Sequence, residues 1–125
     1  MEYKVALPVL GFENIDKFEL EEIEPNFFKL QNGNVSFTLI NPAVLREDYF
    51  FEIDEDAQKK LKLNENSNYF VLNIMIINKP FIDSTINFAA PVIFNNDEKI
   101  MGQVILDKYP YSLSDPLRNY IKEKK

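Results

Sequence analysis

Apolar and polar side chains alternate along much of the first third of the chain. Four segments carry this period-two pattern, which is typical of strands with one face in water: Tyr3–Leu7, Lys17–Ile23, Phe27–Leu30 and Val35–Ile40. The segment 32–34 has the sequence Asn-Gly-Asn, which is typical of a hairpin loop. The pattern therefore predicts short strands that pair mainly antiparallel.

The second half of the chain contains a longer and more apolar segment. Residues 68–79 are expected to form a central strand that ends before Pro80, and it should be buried because Phe70–Ile77 is mostly apolar on both faces of an extended chain. The pattern predicts two or three short strands between Thr85 and Leu106, around a polar turn at residues 96–99.

Helices account for little of the pattern. Asp54 to Leu63 predicts a helix, with Asp54 as its amino-terminal cap and Asn64 as its end. A second short helix is predicted after Ser114 or Asp115, followed by fraying of residues 122–125. The fold class expected for residues 1–125 is a single all-β domain, mainly antiparallel, either a small β-barrel or a bent β-sandwich with one or two short helices.

Composition narrows the function classes. The chain has no cysteine and no histidine, which removes disulfides, thiolate nucleophiles, imidazole bases and the usual zinc ligands. No segment approaches the roughly 18–20 apolar residues of a membrane span, and no secretory signal follows Met1, so a cytoplasmic location is expected. We expect no enzyme activity, no cofactor and no metal, because the sequence has no phosphate-binding loop and no nucleophile elbow.

The formal net charge of −6 changes the expected partners. An acidic surface disfavours direct binding to nucleic acid or to anionic membranes, and it favours basic proteins. Glu19, Glu21 and Glu22 form an acidic run that is either a docking ridge or a guard against pairing at a sheet edge. Asp54–Glu65 resembles a calcium loop only superficially, because Lys59 occupies the position that requires glycine.

Several polar and aromatic residues remain as binding candidates. Asn73 interrupts the most apolar strand and is expected to be a hydrogen-bonded core amide. Thr85, Asn87, Asn95 and Gln103 either line a recognition groove or satisfy buried backbone groups. The tyrosines near the carboxyl end either anchor a partner or seal the barrel: Tyr109, Tyr111 and Tyr120.

A series of short motifs, taken in order, resembles the FliW family of flagellar assembly factors. They are Leu10-Gly11-Phe12-Glu13, Phe28-x-Leu30-Gln31, Asn41-Pro42, Asp48-Tyr49, Thr85-x-Asn87, Ala90-Pro91, Gly102-Gln103-Val104-Ile105-Leu106 and Asp115-Pro116-Leu117. Two departures occur: Leu10 stands where the family has proline, and Leu113-Ser114-Asp115 replaces a more basic run.

The resemblance implies a β-barrel-like domain with two protein partners. One is flagellin, and the other is the translational repressor CsrA, whose capture relieves repression of flagellin synthesis. We hypothesise that Glu19, Glu21 and Glu22, or Asp107 and Asp115, face the basic partner. A second hypothesis places Asn87, Gln103 and Tyr111 on a shared recognition surface.

Two alternatives from other classes remain at this point. A small β-barrel that binds a small molecule or carbohydrate would use Asn, Gln and Tyr side chains in a pocket. A carboxylate-dependent hydrolase would need two carboxylates about 5–10 Å apart, and only proximity in sequence suggests Asp48 with Glu52.

Overall fold

Seven strands close into a barrel in this computed structural model, which describes residues 1–121. The strands are β1 Glu2–Leu7, β2 Lys17–Glu24, β3 Phe27–Asn32, β4 Val35–Ile40, β5 Tyr69–Ile76, β6 Thr85–Ile86, β7 Val92–Asn95, β8 Ile100–Gln103 and β9 Asp115–Pro116. Around the barrel they follow the order β4-β3-β2-β1-β8-β7-β5, and β5 pairs with β4 to close the ring. Outside the ring, β6 pairs with β5 and β9 pairs with β6.

The all-β prediction is confirmed, and its barrel alternative is the correct one. Neighbouring strands in residues 1–121 pair antiparallel except β1 and β8, which run parallel from Lys4↔Ile100 to Leu7↔Gly102. The Asn-Gly-Asn hairpin is also confirmed: Asn32 pairs with Val35, and Gly33 takes a positive φ of 56°. β2 pairs with β1 on one side and with β3 on the other, so the interpretation of β2 as an edge strand was wrong.

Helical structure is brief. The helix α1 spans Glu55–Lys60, and Asp54 Oδ1 accepts a hydrogen bond from Ala57 N at 2.8 Å, which confirms the predicted cap. The helix ends before Asn64, because Lys62 adopts a positive φ of 54°. Single 3-10 turns occupy Pro42–Val44, Phe81–Asp83 and Leu117–Asn119.

The predicted carboxyl-terminal helix is wrong within the described residues. Asp115 and Pro116 pair with β6 as strand β9, and a 3-10 turn follows at Leu117–Asn119 with no side-chain cap. Pairing with Ile86 and Thr85 draws this segment into the sheet, so Ser114 and Asp115 cannot begin a helix. The expected fraying of 122–125 lies outside the described residues.

Two apolar clusters lie on opposite sides of the barrel wall. The interior cluster contains buried side chains from all seven barrel strands or their ends, among them Tyr3, Phe18, Leu30, Leu39, Leu72, Phe94 and Met101. The second cluster contains Ile40, Met75, Ile86, Phe88 and Leu117. Leu39 and Ile74 pack in the interior cluster. Since successive strand residues point to opposite faces, their chain neighbours Ile40 and Met75 lie on the outer face of the wall.

Candidate functional site

The outer cluster is covered by residues 41–53, which we call the strap. Leu45 and Tyr49 of the strap pack on this cluster together with Tyr111 and Tyr120 of the carboxyl-terminal segment. Tyr49 meets Phe88 edge-on, with ring centroids 5.0 Å apart, and meets Tyr111 at 4.9 Å. The strap therefore joins β4 to α1 by crossing an apolar face that the barrel would otherwise expose to water.

Tyrosine hydroxyls fasten the strap at three places. The Tyr49 hydroxyl donates to the Phe88 carbonyl at 2.6 Å. The Tyr111 hydroxyl donates to the Phe50 carbonyl at 2.7 Å and accepts from Phe50 N at 3.1 Å, while the Tyr109 hydroxyl accepts from Glu52 N at 2.8 Å. The bonds of Tyr111 and Tyr109 hold the backbone of the strap at Phe50 and Glu52, while the Phe50 side chain is 64% exposed.

Arg46 of the strap lies among three aromatic rings. Its guanidinium carbon is 5.4 Å from the ring centroid of Phe88, 5.1 Å from Tyr111 and 5.8 Å from Tyr120. Its Nε donates to Asp48 Oδ1 at 3.4 Å. Contacts of this kind between a cation and aromatic faces contribute about 0.5–2 kcal/mol, more where water is excluded.

Burial shifts the ionisation of the groups in this cluster. Burial lowers the pKa of Arg46, but the hydrogen bond to Asp48 and the neighbouring groups raise it by more, so the guanidinium stays charged. Burial raises the pKa of Tyr49 well above 10.0, opposed in part by the hydrogen bond from Asn73. Burial and the hydrogen bond to Asp115 raise the pKa of Tyr120 to about 12. All three keep their neutral-pH forms, and none is poised for proton transfer near neutrality.

Three predicted site residues come together at this cluster. Tyr111 lies within it, and Asp115 accepts hydrogen bonds from the Tyr120 hydroxyl and from Asn119 Nδ2. Asn87 is linked to it because its carbonyl accepts from Asn73 Nδ2 at 2.9 Å, while its own Oδ1 accepts from Ala90 N.

Gln103 lies apart from them in the interior. Its side chain accepts from Leu10 N at 2.8 Å and donates to the Ala90 carbonyl at 3.1 Å. Asn95 is also fully buried, and it donates to the carbonyls of Leu61 and Lys62 at the end of α1. Of the two roles the sequence allowed, these amides perform the backbone one, and the structure does not join Gln103 to Tyr111.

The acidic candidates occupy different parts of the barrel. Glu19, Glu21 and Glu22 are exposed on β2, which lies three strands from β5 in one direction around the ring and four in the other. Asp107 is exposed near the strap, where it lines a cleft of about 410 Å³ with Glu52, Asp54 and Tyr109. The eight predicted residues therefore fall on at least two separate faces.

The strap itself was missed by sequence reasoning as a functional element. Its residues line a cleft of about 550 Å³ beside β5, with Phe28, Ala43, Tyr49, Phe51 and Val71 among the lining side chains. The signal available in the sequence was the density of aromatic and acidic residues between Glu47 and Asp56. From the sequence alone this segment cannot be distinguished from an ordinary loop, because the residues that its aromatic rings contact are not known.

The described residues contain little that resembles reactive chemistry. Within residues 1–121, no three acidic, histidine or cysteine side chains are grouped so as to hold a metal ion. None of the helices in that range is long and apolar enough to cross a bilayer. Asp48 is engaged with Arg46, and Tyr49 and Phe51 form an aromatic pair beside it. The arrangement presents fixed aromatic and acidic groups, which suits recognition of another molecule.

Comparison with known proteins relates this chain to one family. The sequence model of the FliW protein family matches residues 2–117. The chain is 47% identical to flagellar assembly factor FliW 2 of Wolinella succinogenes, with 96% of this chain and 92% of that protein aligned. It is 41% identical to flagellar assembly factor FliW of Sulfurimonas denitrificans, with 98% and 100% aligned.

A solved structure supports the same relationship at the level of the fold. The crystal structure of a flagellar assembly factor FliW superimposes with a TM-score of 0.86 and 26% sequence identity, covering 93% of this chain and 84% of that one. The resemblance carried by the short motifs is therefore confirmed across nearly the whole sequence. The chain belongs to the FliW family of flagellar assembly factors.

Proposed function

We propose that this protein is a cytoplasmic, non-enzymatic flagellar assembly factor that binds flagellin and CsrA, and that its capture of CsrA relieves repression of flagellin translation. The observation that carries the proposal is the match of the FliW family model to residues 2–117. Relatives aligned over nearly their full lengths bear the name flagellar assembly factor, which is a non-catalytic role.

The charge of the molecule supports a basic protein partner. The net charge is −6, and Glu47, Asp48 and Glu52 are exposed along the strap. RNA-binding repressors carry basic surfaces, so opposite charges accelerate the encounter and make it sensitive to salt. The same charge disfavours direct contact with nucleic acid.

If flagellin and CsrA cannot bind this small domain at the same time, the amount of free flagellin determines how much CsrA is bound. Flagellin bound to this protein lowers its apparent affinity for CsrA, and CsrA lowers the affinity for flagellin by the same factor. When flagellin leaves by export, the freed protein captures CsrA and flagellin synthesis resumes. The cycle needs only competitive binding, with no chemical step.

Titration calorimetry tests the proposal directly. The purified protein is titrated with CsrA and with flagellin of the same organism, at low and at physiological salt, and the CsrA titration is repeated with flagellin already bound. Saturable binding of CsrA that flagellin abolishes is the expected result. Binding of flagellin alone reduces the protein to a flagellin chaperone, and binding of neither partner overturns the proposal.

A matched pair of variants locates the interaction. Phe50→Ala removes an exposed ring from the strap but leaves the backbone groups that Tyr111 binds. Leu10→Ala removes an equally exposed side chain, 59% accessible, from the loop after β1. If the strap carries the interaction, Phe50→Ala weakens binding of at least one partner while Leu10→Ala binds both normally.

A further inference from the structure

The first half of β5 has an open edge beside the strap. β4 pairs with β5 at Thr38↔Met75, Leu39↔Ile74 and Ile40↔Asn73, and then the chain leaves the sheet at Asn41. On its other side β5 pairs with β7 from Tyr69 to Leu72. The stretch Tyr69–Leu72 therefore has a strand neighbour on one side only.

The backbone groups on this edge can be assigned from neighbouring hydrogen bonds. The carbonyls of Ile74 and Asn68 accept from Asn87 N and Asn96 N, so the even-numbered residues direct their backbone groups toward β6 and β7. Successive strand residues alternate, so the N–H and C=O groups of Tyr69 and Val71 point toward the open side. None of the loop or side-chain hydrogen bonds found in residues 1–121 ends on these two backbones.

A groove formed by two clefts lies along the open edge. On one side of Phe51 is the cleft of about 550 Å³, and on the other is a cleft of about 490 Å³ that reaches Tyr69. The first cleft is lined mostly by aromatic and aliphatic side chains, among them Phe28, Pro42, Ala43 and Val71. The second cleft is mixed, since Leu63 and Tyr69 line it together with Glu52, Gln58, Asn64 and Glu65. An open strand edge next to side-chain pockets is the arrangement by which a domain accepts an extended peptide as an added strand.

The charge around the groove selects the occupant. Glu47 borders the first cleft, and Glu52 and Glu65 border the second. Arg46 also lines the first cleft, but its guanidinium pairs with Asp48 and lies against the aromatic rings described above. Among the described residues that line the clefts, the charges outside such a pair are the carboxylates of Glu47, Glu52 and Glu65, which favour a basic residue next to the apolar side chains.

We propose that the groove between the strap and β5 binds an extended, basic segment of a protein partner, which adds as a strand to Tyr69–Val71, places apolar side chains in the first cleft and places a basic side chain beside the carboxylates of the second. This inference rests on the proposed function, because it takes the occupant to be a segment of the basic partner, CsrA. The strap forms the second wall of the groove, so the tyrosine hydroxyls that fasten the strap also preserve the shape of the groove.

Two substitutions on one 3-10 turn test the groove. Ala43 lines the cleft, whereas its neighbour Val44 does not and is 49% exposed. Ala43→Trp fills the cleft and raises the Kd of the full-length partner about tenfold or more, as expected for blocking a central contact. Val44→Trp adds the same ring to the same turn and leaves the Kd unchanged. Thermal melts of both variants confirm that each is folded.

Overlapping synthetic peptides that cover flagellin and CsrA test the mode of binding. Fluorescence polarisation against the wild-type protein identifies the peptide that binds, which is then prepared with N-methyl groups on alternate residues. Strand addition predicts that one alternate set abolishes binding and the other set does not, because only every second residue faces the edge. Equal effects of the two sets overturn strand addition.

The outcomes separate this inference from the proposed function. If the full-length partners bind and Ala43→Trp binds them as well as Val44→Trp does, the groove inference fails and the proposed function stands. If neither partner binds the wild-type protein, the proposed function fails first. If a carbohydrate or small-molecule panel raises the melting temperature of the wild type but not of Ala43→Trp, the groove is a ligand pocket and the peptide inference is wrong.

Discussion

The buried amide of Asn73 connects two separate segments of the chain through hydrogen bonds of its nitrogen. Asn73 has no solvent exposure, and its Nδ2 donates to the Tyr49 hydroxyl at 3.1 Å and to the Asn87 carbonyl at 2.9 Å, while its Oδ1 has no partner in the described residues. The expectation of a hydrogen-bonded core amide is confirmed for the amide nitrogen. Asn73 therefore ties β5 both to the strap and to the segment after β6.

Replacement of Asn73 tests how much these hydrogen bonds contribute to the free energy of unfolding. Asn73→Leu keeps the branched shape of the side chain but leaves the Asn87 carbonyl without this donor, so we expect a loss of about 1–2 kcal/mol in the free energy of unfolding. Asn73→Asp costs more at neutral pH, because a carboxylate has no N–H to donate and carries a buried charge. Urea denaturation measures both, with the exposed Asn14→Leu as control. A more stable Asn73→Leu variant would mean that the unpartnered Oδ1 outweighs both bonds.

Because of the buried tyrosines of the outer cluster, we expect the folded protein to lose stability at alkaline pH. Because the pKa of Tyr49 and of Tyr120 is raised above 10.0 in the folded state, their contribution is complete below pH 10 and disappears as pH rises through the folded-state pKa, which is about 12 for Tyr120. Tyr49→Phe loses the bonds to Phe88 and Asn73, so it is less stable than wild type by about 1–3 kcal/mol near pH 8.

The difference between wild type and Tyr49→Phe should narrow near pH 11, because only the wild type must keep this phenol protonated in order to stay folded. Urea midpoints at the two pH values measure the difference. Tyr69→Phe, which changes an exposed ring, serves as the control and should match wild type at both. A gap that stays constant with pH contradicts the role assigned to the Tyr49 hydroxyl.

Elements whose pattern is local were predictable from the sequence. Val35–Ile40 matches its predicted bounds, the turn at residues 96–99 joins β7 to β8, and Asp54 caps α1. What failed depends on which strands pair. Asp115 and Pro116 became a strand because β6 was available to pair, and β2 is not an edge strand because it pairs with both β1 and β3. Local alternation carries no information about either pairing.

Closure between β1 and β8 depends on a glycine. A Cβ added at Gly102 would lie 2.5 Å from Leu7 Cβ and 3.0 Å from Leu7 N, far inside contact distance. Gly102→Ala therefore forces the parallel strands apart, and we expect a loss of about 1–3 kcal/mol in the free energy of unfolding. Denaturant titration measures the loss.

A second substitution at the contact serves as the control for Gly102→Ala. Leu7→Gly removes the side chain that the new methyl group meets, so the double variant should be less destabilised than the sum of the two single variants. Simple additivity, or a Gly102→Ala protein as stable as wild type, would mean that β1 and β8 tolerate separation at this point.

The whole molecule shows why the binding surface was harder to predict than the fold. Exposed carboxylates recur along the chain, and only closure of the barrel places those of β2 three strands away from β5 and the strap. The groove arises because β4 is too short to cover β5. β4 ends at Ile40, which pairs with Asn73, so the first residues of β5, from Tyr69 to Leu72, have no partner on that side. Neither feature is encoded in the order of apolar and polar residues along any single segment.

Charge reversal on the two faces distinguishes them. Glu21→Lys on β2 and Asp107→Lys near the strap each change the net charge from −6 to −4, so they alter long-range attraction equally and differ only in position. If the basic partner docks at the strap and β5, Asp107→Lys slows association about three- to tenfold at low salt and Glu21→Lys slows it less. Stopped-flow association with CsrA, repeated at physiological salt, measures both rates. Equal slowing indicates steering by net charge alone, and greater slowing by Glu21→Lys transfers the docking face to β2, where Glu19 and Glu22 lie beside it.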